Sequence, residues 1–431
     1  MRGLNTKALF ALFASLVLAV ALAACGDDDD DGGGGGGGET SLDLVIGDSL
    51  PLTGLLGPFG PPGQKAADLA GEQINAAIQE AGVDHTVEIV HEDNETDTQA
   101  AVQAGRKLAA DGASCIAGAW ASGDTIATAQ SVTVREGILL ISPASTADEI
   151  TDLDDDGLVN RTSPPDRFQG PTLAEAISQD LGDAEGKTVN IGAQNTPYGT
   201  GLAGTFADGW EALGGQVGQE VIYDTDQPSY NSEAGQITSG NPDAIVIIDY
   251  PEPFDKVAPA LERTGNWDPT IAWGTDGVYD TGTAEAMGDI LEGMRGTFPG
   301  VPEGRPASEA FDQLFEESEP RDVSRQAFDA QNFDAVVTCY LAAVAAGSAE
   351  GADMAAEVQD LTSPGGDKYT WQQLPEAIEA LQNGDDIDYV GASGEVDINE
   401  DGDATSEVYD VYQFKGGAVP VIDELPVVVP E

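Results

Sequence analysis

The stretch VIGDSLPLTGLLGPFG, Val45–Gly60, decides how the chain is read. A short apolar run ends at Gly47-Asp48, and a loop rich in proline and glycine follows. Beyond the loop, Ala67, Ala70, Ile74, Ala77 and Ile78 recur at helical spacing between Gly63 and Gly82, and the closing glycine is a usual helix stop. Strand, loop and helix in this order open a β/α alternation. The loop also raises a chemical question, because Ser49 stands where a strand end could hold out a nucleophile.

A serine hydroxyl is a weak nucleophile and needs a base within hydrogen-bond reach, usually a histidine oriented by a carboxylate. The chain has only two histidines, His85 and His91. Gly47-Asp48-Ser49-Leu50 matches the nucleophile block of GDSL-type esterases, but those take their histidine from a DxxH block near the C-terminus, and none stands there. An extracellular GDSL-type serine hydrolase acting through Ser49 is therefore the alternative. A serine that merely ends the first strand is the main reading, and no enzyme is expected.

The alternation continues along the chain. TVEIVHE reads as a strand, Asp97 to Gly112 as a helix capped by Asp97 or Thr98, and ASCIAGAW and GILLIS as strands around a helix beginning near Ser122. A second series, KTVNIGA, QVGQEVIYD, DAIVIIDY and TIAWG, is interleaved with helical stretches. Strand and helix at this rhythm predict an α/β fold with parallel sheets covered on both faces. Two series predict two Rossmann-like lobes.

The N-terminus predicts where the protein works. Arg2 and Lys7 precede an apolar run, Ala8 to Ala24, shorter than the ~20 residues a membrane span needs. Leu22-Ala23-Ala24-Cys25 resembles the lipobox of bacterial lipoproteins. Residues 1–24 are expected to be a lipoprotein signal peptide. Residues 25–40 are expected to be a lipidated Cys25 with a disordered Asp/Gly tether. The protein is thus expected to be exported and lipid-anchored on the extracytoplasmic face of a bacterial membrane.

Seventy-seven acidic residues against 17 basic ones give a formal net charge of −60. Such a surface repels nucleic acid and suggests a salt-rich habitat. Cys115 and Cys339 remain after Cys25, and in an oxidising compartment they could pair; the sequence leaves this open.

In open α/β sheets, ligands sit beyond the carboxyl ends of the strands. Those ends are Asp48–Phe59, Trp120–Ser122, Ser142–Thr146, Gln194–Tyr198, Asp249–Tyr250 and Gly274–Asp276. They carry hydroxyls, aromatics and carboxylates, and no lysine or arginine. An α-amino acid needs such a set: hydroxyls and helix N-termini for its carboxylate, an acid for its ammonium, aromatics for its side chain.

Six ordered blocks, IGDSLPLTGLLGPFG, EGILLISPASTADEI, RTSPPDRFQG, YGTGLAGTF, GTDGV and GEVDINEDGD, resemble the substrate-binding lipoproteins of ABC importers of the branched-chain amino acid type. These are type I periplasmic binding proteins. The resemblance runs from Leu42 to Phe414. It implies lobe 1 at 41–165 plus 300–407 and lobe 2 at 166–299 plus 408–431, joined by a three-crossing hinge with the ligand cleft between them. It implies an amino-acid ligand, a permease and ATPase complex as partners, a monomer, and neither cofactor nor metal.

Position by position, the resemblance puts Ser122 and Thr146 on the ligand carboxylate. The Ala144 carbonyl, the Thr146 hydroxyl and Asp276 would meet the ammonium. Tyr198, Tyr250, Phe59 and Phe328 would close over the side chain, and Trp120 stands where the family has a smaller apolar residue. A ligand-sensing lobe pair without transport remains a further alternative. Two motifs compete weakly. GTGLAG, Gly199–Gly204, imitates a dinucleotide fingerprint, but five residues part it from its strand. The Asp-rich stretches from Asp152 and Asp397 imitate calcium loops, but lack the twelfth-position glutamate.

Overall fold

The computed structural model describes residues 41–429 apart from 303, 406 and 407, so the expected signal, Cys25 and the tether lie outside the described residues. In chain order the first elements are β1 (Leu42–Leu50), α1 (Gly60–Ala81), β2 (His85–Asp93), α2 (Thr98–Ala110), β3 (Ala113–Gly118), α3 (Ser122–Thr128), α4 (Val134–Glu136), β4 (Leu139–Ser142) and β5 (Val159–Arg161). The five strands are parallel in the order β2-β1-β3-β4-β5. The order reverses between β1 and β3, which opens a crevice at their carboxyl ends. The helix read from alanine spacing is α1, and Gly82 ends it at φ 72°. Asp97 is the cap of α2, accepting from the backbone N–H of Gln99 and Ala100.

The chain then builds a second lobe: α5 (Asp166–Leu181), β6 (Thr188–Gln194), α6 (Pro197–Ala212), β7 (Gln216–Tyr223), α7 (Asn231–Ile237), β8 (Ala244–Ile248), α8 (Pro251–Arg263), β9 (Ala272–Gly274), α9 (Thr281–Met287) and β10 (Arg295–Pro299). It returns to the first lobe as α10 (Pro306–Glu317), α11 (Asp329–Ala346), α12 (Gly351–Thr362), β11 (Asp367–Thr370), α13 (Leu374–Asn383), β12 (Ile387–Gly391) and β13 (Gly394–Glu395). A last crossing delivers β14 (Val408–Gln413) and β15 (Val421–Pro426) to the second sheet, whose order is β15-β14-β10-β9-β8-β6-β7. This sheet is mixed rather than purely parallel, since β14 runs antiparallel to both β10 and β15. Antiparallel neighbours need no helical crossover, so a chain re-entering at the sheet edge can pair directly.

The first-lobe core is organised around α11, whose residues Asp329 to Val344 are all buried. Cys115 of β3 and Cys339 of α11 form a disulfide with a Cα–Cα distance of 5.9 Å, closing 224 residues of chain. The helix returning from the second lobe is thereby bonded to the sheet laid down first.

Parallel pairing of β1 with β2 sets Asp48 opposite His91. His91 Nδ1 lies 2.7 Å from Asp48 Oδ2, and its Nε2 lies 3.0 Å from Asp68 Oδ1 on α1. Burial alone would lower the imidazole pKa, but the hydrogen bonds to and charges of the two aspartates outweigh it and raise it to about 10. Ser49 is fully buried, its hydroxyl has no hydrogen-bond partner, and strand alternation turns it to the face opposite Asp48. Both nitrogens of His91 are occupied on the wrong face, so the hydrolase reading is not supported.

His91 titrates at 6.5 when free and at about 10 when folded, so its stabilisation is complete below pH 6.5 and is lost as pH rises towards 10. Denaturant melts should show this decline, and His91→Gln should flatten it while lowering stability by about 3 kcal/mol at the acid end. Reducing the Cys115–Cys339 bond should cost about 2–4 kcal/mol in the same melts.

Candidate functional site

The loops after β3 and β4 are knitted into one surface. The Ala119 carbonyl accepts from the hydroxyls of Ser142 at 2.6 Å, Thr125 at 3.0 Å and Ser145 at 3.2 Å. Ser145 also donates to the Trp120 carbonyl at 3.0 Å. Ser122 at the start of α3 is thereby set beside the SPAST segment, its Oγ accepting from the Ala147 N–H at 3.2 Å. Thr146 is 1% exposed and its hydroxyl has no hydrogen-bond partner.

Trp120, also buried, leaves its indole N–H without a partner. Its ring lies over Gly63 of α1, where a Cβ would stand 2.4 Å from the ring Cζ2. Phe328, entering α11, has φ 68°, a region that bulky residues rarely adopt. Its loop is clamped by the buried Asp329, which accepts from the Gln326 N–H at 2.9 Å and pairs with Arg325.

The second lobe contributes the opposite wall. Thr196 caps α6, accepting from the Gly199 N–H at 3.1 Å, and thereby fixes Tyr198 in the first turn. Tyr250 precedes α8, its N–H bonded to Asp249 at 2.9 Å. The two tyrosine rings stack with centroids 5.3 Å apart and planes 9° from parallel. The Tyr198 hydroxyl donates to Asp276 Oδ1 at 3.0 Å, lies 2.7 Å from Thr275 Oγ1, and accepts from the Gly277 N–H at 3.2 Å.

Phe59, Trp120, Ala144, Tyr198, Tyr250, Asp276 and Phe328 come together with Leu56 and Gly277 around one narrow cavity of about 10 Å³. Ser122 and Thr146 are buried beside it without lining it. That is room for about one water, so the walls must part to admit a solute. A larger groove of about 640 Å³, walled by residues including Arg305, Asp312 and Gln326, opens to solvent.

Burial raises the Asp276 carboxyl to about 6, with the Tyr198 hydroxyl bond holding it down. Two further carboxylates escaped sequence reading. Asp166, the first residue of α5, is fully buried, and its backbone N–H donates to the Thr146 carbonyl at 2.7 Å. Burial and then the Asp276 charge push its pKa well up. The Thr146 hydroxyl is near enough to ease the Asp166 charge but not in hydrogen-bonding geometry. Asp124, in the first turn of α3, is raised to about 8 by burial and then by Asp97. Asp166 lies inside RTSPPDRFQG and Asp124 two residues after Ser122, but in sequence an aspartate at a helix start reads as a cap.

The dinucleotide-like motif is absorbed by the fold. Gly199–Gly204 lies within α6, so GTGLAG makes no tight strand-to-helix turn. Asp155 accepts from the N–H groups of Gly157 and Val159, and Asp403 is paired with Arg161 and Arg167.

A family profile described as "Periplasmic binding protein" matches residues 44–418. The chain belongs to the periplasmic binding protein family. Among relatives, it is 25% identical over 322 residues to the Leu/Ile/Val-binding protein homolog 1 of Brucella abortus, covering 74% of this chain and 82% of that one. It is 25% identical over 363 residues to the chemotactic signal transduction system substrate-binding protein BasB of Halobacterium salinarum, covering 82% and 83%. A crystal structure of a leucine binding protein, LivK, from Thermotoga maritima superposes with a TM-score of 0.72 at 24% identity, over 89% of this chain and 99% of that one.

The fit of Trp120 over Gly63 gives this periplasmic binding protein a steric handle on its own cavity. Gly63→Ala suits a helix, being favourable by up to about 1 kcal/mol, but drives the indole towards the cavity. The variant should fold, change its tryptophan fluorescence, and bind any cavity ligand at least about tenfold more weakly.

Proposed function

We propose that the chain is the extracytoplasmic solute receptor of an ABC importer, capturing an amino acid, branched-chain or similar, and delivering it to a membrane permease powered by an ATPase. The observation that carries this reading is the cavity itself, with aromatic walls and a buried acid drawn from both lobes. The name of the Brucella relative supports the amino-acid class. The expected signal peptide and lipidated Cys25 would hold the receptor, as a monomer, at the outer face of the membrane.

Residues 41–165 with 300–407 would turn as one body against 166–299 with 408–431, about three crossings near Arg161–Asp166, Pro299–Pro306 and Ala404–Val408. In the open state the ligand carboxylate meets the Ser122 hydroxyl and N–H and the Thr146 N–H. The ammonium meets the Ala144 carbonyl and the Thr146 hydroxyl, which otherwise has no partner. Closure brings Asp276 onto the ammonium and the Tyr198–Tyr250 stack over the side chain, a hinge motion with no bond made or broken. A buried ammonium is tolerable only while its carboxylate partner stands opposite.

A second reading, ligand sensing without transport, is favoured by the BasB relative, whose name places it in a chemotactic system. Reconstituted uptake with the neighbouring permease separates the two.

A thermal-shift screen of the full chain in high salt against the twenty amino acids tests the binding reading. A millimolar ligand of micromolar Kd should stabilise by about 4 kcal/mol. Asp276→Ala should abolish the shift, and Ser49→Ala should leave it unchanged. With its carboxyl at about 6, Asp276 loses its charge as pH falls, so affinity should weaken below that pH.

A further inference from the structure

Most other buried acids among the described residues are partnered. Asp48 has His91 and Asn332, and Asp334 accepts four hydrogen bonds from Tyr389, Ala392 and Ser393. The cleft is different. Asp166 is 0% exposed and neither carboxylate oxygen has a hydrogen-bond partner; Asp124 is 2% exposed and its Oδ2 has none.

Asp166 stands beside Thr146, and its charge acts on both Tyr198 and Tyr250. Asp124 stands in the seam between the lobes. A Cβ on the adjacent Gly123 would lie 3.6 Å from Pro197 Cδ at the start of α6, and among the neighbouring acids Asp124 bears most strongly on Tyr250. The charged side chain that bears on Asp124 is another acid, Asp97.

Arg161, whose charge reaches Asp166, has no donor left to give. Its Nε and one terminal nitrogen bond Asp403 and Thr151, and the other bonds the carbonyls of Ser145 and Ala147. A plain zwitterion therefore offers one ammonium to three buried acids. Burial keeps Asp166 and Asp124, raised to about 8, protonated while the cleft is empty, and a second cation beside them is what would ionise and pair them.

We propose that the cleft selects an amino acid carrying a second cationic nitrogen, as in ornithine, lysine or arginine, and that Asp124 determines this choice. The α-ammonium lies between Asp276 and Asp166. The side-chain cation meets Asp124, with the Tyr250 ring adding a cation–π face. This inference rests on the amino-acid reading above and narrows it.

Titration calorimetry on the full chain with ornithine, lysine, arginine, leucine and putrescine tests it. At least one basic amino acid should bind about tenfold or more tighter than leucine, and Asp124→Asn should bring the two within about threefold. Asparagine matches aspartate in shape and removes a buried charge, so the variant should melt cooperatively; Asp124→Ser serves if it does not.

Leucine binding as tightly as every basic amino acid overturns the inference and leaves the receptor reading standing. So does a preference for basic ligands that survives in Asp124→Asn, because Asp124 is then not its source. Putrescine binding with no amino acid binding overturns the amino-acid reading and leaves the demand for two cations. Binding by none of the five overturns both.

Discussion

Three carboxylates held out of water without matching cations form the constraint on which the cleft depends. Moving an ion into a low-dielectric interior costs several kcal/mol unless a partner stands ready. The fold meets this rule at Asp48, Asp334 and Asp403, and departs from it between the lobes. Asp276 has the Tyr198 hydroxyl, whereas Asp166 and Asp124 leave buried oxygens without a hydrogen bond. Such a seam favours an occupant that brings a cation to those acids.

The rest of the architecture delivers those groups to one place. The crevice where the first sheet reverses its strand order receives Phe59 from the loop after β1 and Trp120 from the loop after β3. In the second lobe, the capped start of α6 fixes Tyr198, Tyr250 precedes α8 with its N–H on Asp249, and the end of β9 presents Asp276. Each lobe is tied together in its own way, the first through α11 and its disulfide to β3, the second through a seven-stranded sheet. The strained backbone of Phe328 persists because Asp329 clamps the turn before it. Positions so over-determined can hold a cavity wall that a relaxed loop would let collapse.

Much of the site was legible because it lies at strand ends, and strand ends follow from hydrophobic pattern and turn residues. Tyr198, Tyr250, Asp276 and Phe59 could be read in this way, supported by the order of six short motifs. Asp166 and Asp124 could not, because their significance lies in what they fail to touch. Periodicity reports which face is buried, not whether a carboxylate finds a donor there. His91 was open to misreading for the same reason: in sequence it is a candidate base, and only strand register hands both its nitrogens to Asp48 and Asp68.

The amino-acid sequence by itself determined the alternation of strands and helices, the two series that become two lobes, the acidic surface and the residue types at each strand end. These are local properties, written in spacing and composition. Tertiary structure decided the rest: the pairing of Cys115 with Cys339, the antiparallel edge made by β14 and β15, the small β11-β12-β13 sheet, and the company each buried charge keeps. Those outcomes depend on segments hundreds of residues apart meeting in space, and no local pattern encodes the distance between two carboxylates.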